Sequence, residues 1–152
     1  MKLSKALIKD IIIADDDPDD KEFFDLALKE IDPSCKVFNV PNGKALLELL
    51  ISFIPDIIFL DLDMPYKNGL ECLVEMRKNP EWEQLPIVVY SSTSRQSNIQ
   101  TAYEMGAHLF FIKPSVLQEY TNSLKVILNL DWQHPEKVKE QYCVNGRYTA
   151  FS

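Results

Sequence analysis

Five short apolar runs, each separated from the next by an amphipathic stretch, constrain this chain more than any other feature. The runs are Asp10-Ile11-Ile12-Ile13-Ala14, Lys36-Val37-Phe38-Asn39-Val40, Asp56-Ile57-Ile58-Phe59-Leu60, Pro86-Ile87-Val88-Val89-Tyr90 and His108-Leu109-Phe110-Phe111-Ile112. Four are nearly unbroken and rich in β-branched or aromatic residues, which is how strands buried on both faces read. The second alternates, as a half-buried strand does. Between them, apolar residues recur at helical spacing: Phe24, Ala27, Leu28 and Ile31; Leu46, Leu49, Leu50 and Phe53; Leu70, Leu73 and Val74. Weaker periodicity covers Arg95 to Met105, and a last stretch carries Leu117, Leu124 and Leu128. Strands separated by helices imply a parallel sheet, because parallel strands need a crossover connection that a helix supplies. The fold class is therefore α/β, with helices on both faces of a five-stranded parallel sheet.

Local signals punctuate these elements. Asp17 before Pro18 reads as an N-cap with proline at the first helical position. Asn42 is placed to cap the second helix. Asn79-Pro80 ends the third, and Gly106 closes the fourth. Ser115 and Gln118 have capping-box spacing ahead of the fifth.

In open sheets of this kind, ligands bind beyond the carboxyl ends of the strands. The polar residues obey that rule. The first run ends in Asp15-Asp16-Asp17, the third in Asp61, the fourth in Ser91-Ser92-Thr93 and the fifth in Lys113-Pro114. Parallel strands bring these ends together, giving several carboxylates, a hydroxyl and an ammonium. Crowded carboxylates repel unless a cation sits among them. Oxygen ligands select a hard ion, and few loop ligands with room for water and phosphate favour Mg²⁺. A carboxylate beside such an ion can attack phosphorus and form an aspartyl phosphate. Each residue alone has a plainer reading. Asp15 to Asp17 suit a solvated turn, Ser91 a helix cap, and Lys113 a surface lysine whose stem covers apolar neighbours. Their joint occurrence in register carries the functional reading.

Ile-Ile-Ala-Asp-Asp-Asp-Pro, Ile-Ile-Phe-Leu-Asp-Leu-Asp-Met-Pro-x-x-x-Gly, Val-Val-Tyr-Ser-Ser and Phe-Phe-Ile-Lys-Pro, in that order, resemble the receiver domain of two-component response regulators over roughly residues 8–130. The resemblance implies a doubly wound, flavodoxin-like (βα)5 sheet with strand order 2-1-3-4-5. It implies that Asp15 and Asp16 bind Mg²⁺ with Asp61 and the backbone carbonyl of Asp63. Asp61 would accept the phosphoryl group, Ser91 and Lys113 would contact it, and Ser91 with Phe110 would switch. Phe110 stands where a tyrosine is common and has no hydroxyl, so its switching would rest on packing. A sensor histidine kinase or histidine phosphotransfer protein is the implied donor, and a downstream protein the implied target.

Composition narrows the rest. The net charge of −7 argues against a DNA partner, which calls for a basic stripe. Cys35, Cys72 and Cys143 are scattered and odd in number, which fits reduced thiols in the cytoplasm. The start, Met1 to Asp10, lacks a secretory apolar stretch. The longest apolar run, Ile51 to Leu60, is broken by Pro55 and Asp56 and is too short for a bilayer. The expected organisation is a receiver domain over 1–130 and a C-terminal extension over 131–152, of the stand-alone, non-enzymatic type. That extension is too short for a winged-helix module. Its Trp132, Tyr142, Tyr148 and Phe151 have two readings: they pack back on the domain, or they help form a homodimer, as in single-domain regulators partnered with phytochrome-type kinases. Two rival functions remain. Asp61-Leu62-Asp63 also resembles the Asp-x-Asp of haloacid-dehalogenase-type phosphatases, and the same fold can serve as an unphosphorylated scaffold.

Overall fold

The computed structural model of the protein describes residues 8–64 and 68–152. The first seven residues and Pro65, part of the second motif, lie outside them. Strands β1 (Asp10–Ala14), β2 (Lys36–Val40), β3 (Ile57–Asp61), β4 (Ile87–Ser91) and β5 (Leu109–Ile112) form one parallel sheet in the order β2-β1-β3-β4-β5. This is the doubly wound topology expected from the sequence. Helices α1 (Pro18–Ile31), α2 (Gly43–Ser52), α3 (Gly69–Arg77), α4 (Gln96–Glu104) and α5 (Leu117–Leu128) alternate with the strands.

The two-residue period of the strands splits the core into two layers. Ile12, Ala14, Ile58, Leu60, Val89 and Phe110 face one side, with Leu46 and Leu50 of α2 and Leu73 and Met76 of α3. Ile11, Ile13, Phe59, Val88, Tyr90 and Phe111 face the other, with Phe24 of α1 and Tyr120, Leu124 and Ile127 of α5. Burying whole isoleucine and phenylalanine side chains is worth roughly 1.5–3 kcal/mol each, which makes these layers the main hold on the fold.

Caps fix where the helices start. Asp17 accepts from the Asp19 N–H at 2.9 Å, and Asn42 from the Ala45 N–H at 2.8 Å. Asn68 and Glu71 form a reciprocal capping box at α3, with bonds of 3.0 and 3.1 Å. The Ser115/Gln118 box does not form. α5 begins at Leu117 behind Val116 and has no side-chain cap, so Ser115 falls one residue too early to meet the helix N–H groups. Gly69 is required by proximity: a Cβ there would lie 2.4 Å from the Asp61 carbonyl oxygen. The first residue of α3 thus packs directly on the end of β3.

After α5 the chain turns back. Trp132 is buried and donates its indole N–H to the Ile127 carbonyl at 2.8 Å. Helix α6 (Pro135–Gln141) follows, then a hairpin of β6 (Cys143–Val144) and β7 (Arg147–Tyr148) around Asn145-Gly146, both at positive φ. Those dihedrals match the type I′ turn that Asn-Gly favours. Tyr148 stacks on Tyr103 of α4 with centroids 4.5 Å apart. The Phe151 N–H donates to the Phe110 carbonyl at 2.7 Å, and the Ile112 N–H to the Phe151 carbonyl at 2.9 Å. The tail aromatics therefore pack back on the domain, the first of the two readings. They also cover the outer edge of β5, which would otherwise present unpaired backbone groups.

Candidate functional site

The parallel register places Asp15 just beyond β1, Asp61 as the last residue of β3, Ser91 as the last of β4 and Lys113 just beyond β5. Beyond these strand ends lies a cleft of about 390 Å³ lined by Asp16, Asp20, Asp61, Asp63, Ser92 and Lys113. Carboxylate oxygens of Asp15, Asp16 and Asp61 lie within 4.8 Å of one another. Asp15 and Asp61 are buried, and Asp16 is exposed.

Backbone and side-chain donors fix each acid. Asp15 Oδ1 accepts from the Asp17 N–H at 2.9 Å, and Asp61 Oδ1 from the Asp63 N–H at 3.1 Å. The Lys113 ammonium is shared. It lies 2.6 Å from Asp20 Oδ2, 3.4 Å from Asp61 Oδ2 and 3.6 Å from Asp15 Oδ2. Burial pushes the Asp61 carboxyl up to about 7; Lys113 pulls it back, and the nearby Asp15 charge adds to the rise. Burial raises Asp20 as well, against its hydrogen bond from Lys113. Burial acts to lower the Lys113 ammonium, but the hydrogen bond with Asp20 and the charges of Asp61 and Asp15 outweigh it and hold it above its ordinary value.

This donor set fits a hard divalent cation. It is oxygen-only, compact and open to water on the Asp16 side, and its acids repel one another until a positive charge joins them.

Most of the residues singled out in the sequence meet here: Asp15, Asp16, Asp61, Asp63 and Lys113. Ser91 stands at the right strand end but is buried, and its Oγ accepts from the Thr93 N–H at 3.2 Å. The residue of that pair lining the cleft is Ser92. Phe110 is fully buried in the layer beneath α4, where the Tyr103 hydroxyl accepts its N–H at 3.0 Å. Two residues escape sequence reasoning. Asp20 takes the shortest contact with Lys113, a pairing 93 residues apart that only the fold reveals. Tyr90, which reads as core, reaches the site through its hydroxyl, a donor to Asp15 Oδ2. Burial and the Asp15 charge keep that phenol protonated far above its ordinary range.

A doubly wound α/β domain with an acid cleft at its topological switch point is thus the class that fold and site define. Residues 11–125 match the response regulator receiver domain, and the chain belongs to that family. It is 31% identical over 65 residues to the response regulator Rcp1 of Synechocystis, covering 43% of this chain and 44% of that protein. The Mn²⁺-bound structure of Rcp1 superposes with a TM-score of 0.72 at 24% identity, over 80% of this chain and 93% of that one. The phosphorylated cyanobacterial phytochrome response regulator RcpA superposes with a TM-score of 0.76 at 25% identity, over 82% and 94%. A probable cyclic di-GMP phosphodiesterase of Vibrio cholerae is 30% identical over 104 residues, 68% of this chain. The match spans only 23% of that longer protein. No helix among the described residues is long and apolar enough to cross a membrane.

Proposed function

We propose that the chain is a phosphoacceptor of two-component signalling, in which Asp61 takes a phosphoryl group from a histidine. The observation that carries this reading is the Asp61 carboxylate itself. Its Oδ1 is tied to the Asp63 N–H while its Oδ2 faces the cleft beside Lys113, with Asp15 and Asp16 close by.

Asp61 Oδ2, which faces Lys113, attacks phosphorus; the P–O bond forms as the P–N bond to the donor imidazole breaks, and the imidazole retains the electron pair. Lys113 moves its charge from Asp20 toward the new phosphoryl oxygens. Ser91 gives up its bond with the Thr93 N–H and turns its hydroxyl toward the same group, and Phe110 repacks beneath α4. Asp15, Asp16 and Asp61, with the carbonyl of Asp63, would hold Mg²⁺, which when bound neutralises the acids and the incoming phosphate. Positioning and charge neutralisation supply most of the rate in such transfers. The new dianion then shifts an existing equilibrium of the α4–β5 surface.

The donor is a sensor histidine kinase or histidine phosphotransfer protein. The likeness to RcpA favours a phytochrome-type kinase. The output is a contact with a downstream protein in the cytoplasm. Residues 1–130 form the receiver unit, and 131–152 an extension whose tail-clad face joins two copies in a homodimer.

Intact-mass spectrometry after incubation with acetyl phosphate and Mg²⁺ tests the central step. A single phosphoryl adduct is expected in the wild type and none in Asp61→Asn. An adduct that persists in Asp61→Asn, or none in either protein, would sink the assignment.

A further inference from the structure

Tyr90 is the penultimate residue of β4 and pairs in register with Asp61. Its side chain lies in the layer beneath α1 and α5 and is fully buried. Two contacts take it from core to cleft. The Lys113 ammonium sits over its ring, 4.3 Å from the centroid, a cation–π contact in a site sheltered from water. Its hydroxyl donates to Asp15 Oδ2.

The second contact completes a clamp. Asp15 has no exposed side-chain surface. Its Oδ1 accepts from the Asp17 N–H and its Oδ2 from Tyr90, so both oxygens have a donor and the plane of the carboxylate is set. Without the phenol, the nearest cation left to Oδ2 among the described residues would be Lys113, now 3.6 Å away. A buried oxygen lacking its donor would draw that ammonium off Asp61 and Asp20, because an unsatisfied buried carboxylate is costly. Asp15 would then turn away from Asp16 and Asp61. Groups that hydrogen-bond a metal-ligating side chain orient it, and their loss typically weakens binding by roughly 10–100-fold.

We infer that Tyr90 is a positioning residue of the cleft, its hydroxyl orienting Asp15 for the divalent cation and sparing Lys113 for Asp61. The inference rests on the reading of Asp15, Asp16 and Asp61 as the cation-binding set, and goes beyond it by assigning a buried core tyrosine to that set.

Mn²⁺ affinity, followed by the loss of the free-ion paramagnetic resonance signal, tests it on the full chain. Tyr90→Phe keeps the ring under Lys113 and removes only the hydroxyl. About a tenfold weaker Mn²⁺ affinity is expected, with a cooperative thermal melt in EDTA showing that the fold is intact. In an Asp15→Asn background the same change is expected to cost little more, because the effect runs through Asp15. Replacing Tyr90 by 4-aminophenylalanine, which restores a donor, is expected to recover affinity, and gives a second test should Tyr90→Phe not fold. Wild-type affinity in Tyr90→Phe, or an equal loss in both backgrounds, would overturn the Tyr90 role alone. If instead Asp16→Asn binds Mn²⁺ as tightly as the wild type, the cation reading itself fails.

Discussion

At the cleft, three carboxylates (Asp15, Asp20 and Asp61) gather around Lys113, and a fourth, Asp16, lies beside Asp15 and Asp61. At the outer edge of β5, by contrast, backbone pairing and stacked rings do the holding. Tyr103 OH donates to the Thr149 carbonyl at 2.9 Å, Gln96 to the Tyr148 carbonyl at 2.7 Å, and Lys139 to the Tyr103 carbonyl at 2.9 Å. One region spends stability to keep charge concentrated where a ligand can use it, and the other protects an edge that would otherwise seek a strand. The two also answer acid in opposite ways. The cleft holds a carboxyl that binds its proton more tightly than in the unfolded chain. Near the other region, at the amino end of β5, His108 binds its proton less tightly.

The Asp61 side of that contrast gives the largest expected effect on stability. Its folded-state value of about 7 lies above the ordinary 3.8, so its contribution is fully present below about pH 4 and is lost as pH rises through 7. In EDTA, Asp61→Asn is expected to be the more stable protein at pH 8, by about 4 kcal/mol. The difference is expected to close by pH 4. Urea unfolding of both proteins across that range checks it, and a gap that does not change with pH would show that Asp61 is not a strained acid.

His108 has the reverse sign and a somewhat smaller expected effect. It is buried, its Nδ1 accepts the Ile87 N–H at 3.1 Å, and its Nε2 lies 3.1 Å from Glu136 of α6. Burial, then the charges of Arg77 and Lys139, lower it from 6.5 to about 3. The Glu136 side chain is 66% exposed, so water screens it too well to hold a proton on the ring. His108 is therefore neutral and donates from Nε2. Its contribution is intact above pH 6.5 and is lost as pH falls toward 3, about 3 kcal/mol by pH 4. His108→Asn keeps an acceptor near the Ile87 N–H and cannot charge. Its acid unfolding limb is expected to be shallower than that of the wild type; an identical limb would place the acid sensitivity elsewhere.

The same contrast explains what could be read from the sequence. Strand ends are legible because a parallel sheet sends all of them to one side, so Asp15, Asp61 and Lys113 could be grouped without coordinates. Asp20 and Tyr90 could not, because each looks like an ordinary member of its own element: an acid in the first turn of a helix, an aromatic in a strand. Ser115 misled because a capping box is a pattern of spacing, and the true helix start depends on how Lys113-Pro114 leaves the cleft. In the tail, Asn145-Gly146 is a hairpin signal in its own right, but strands of two residues carry no periodicity to support it. That Phe151 would pair with β5 depends on the path of α6, which its short local sequence does not encode.

The smallest expected effect separates the two regions most cleanly. Tyr148 is only half-buried, and its main hold is the stack on Tyr103. Tyr148→Ala is expected to cost about 1 kcal/mol, the usual worth of an aromatic pair. That loss falls on one edge of the sheet, so its signature is local. Amide exchange is expected to quicken at Phe151 and Ile112, which hold the bridge to β5, while Asp17 and Asp63 beside the cleft keep wild-type protection. Sedimentation of the same variant tests the homodimer. If two copies meet across the tail-clad face, Tyr148→Ala shifts the equilibrium toward monomer. An unchanged equilibrium together with faster exchange at Phe151 would confine the tail to sealing its own sheet. Faster exchange at Asp63 as well would show that the edge of β5 and the cleft move as one unit, which is the coupling a phosphorylation switch needs.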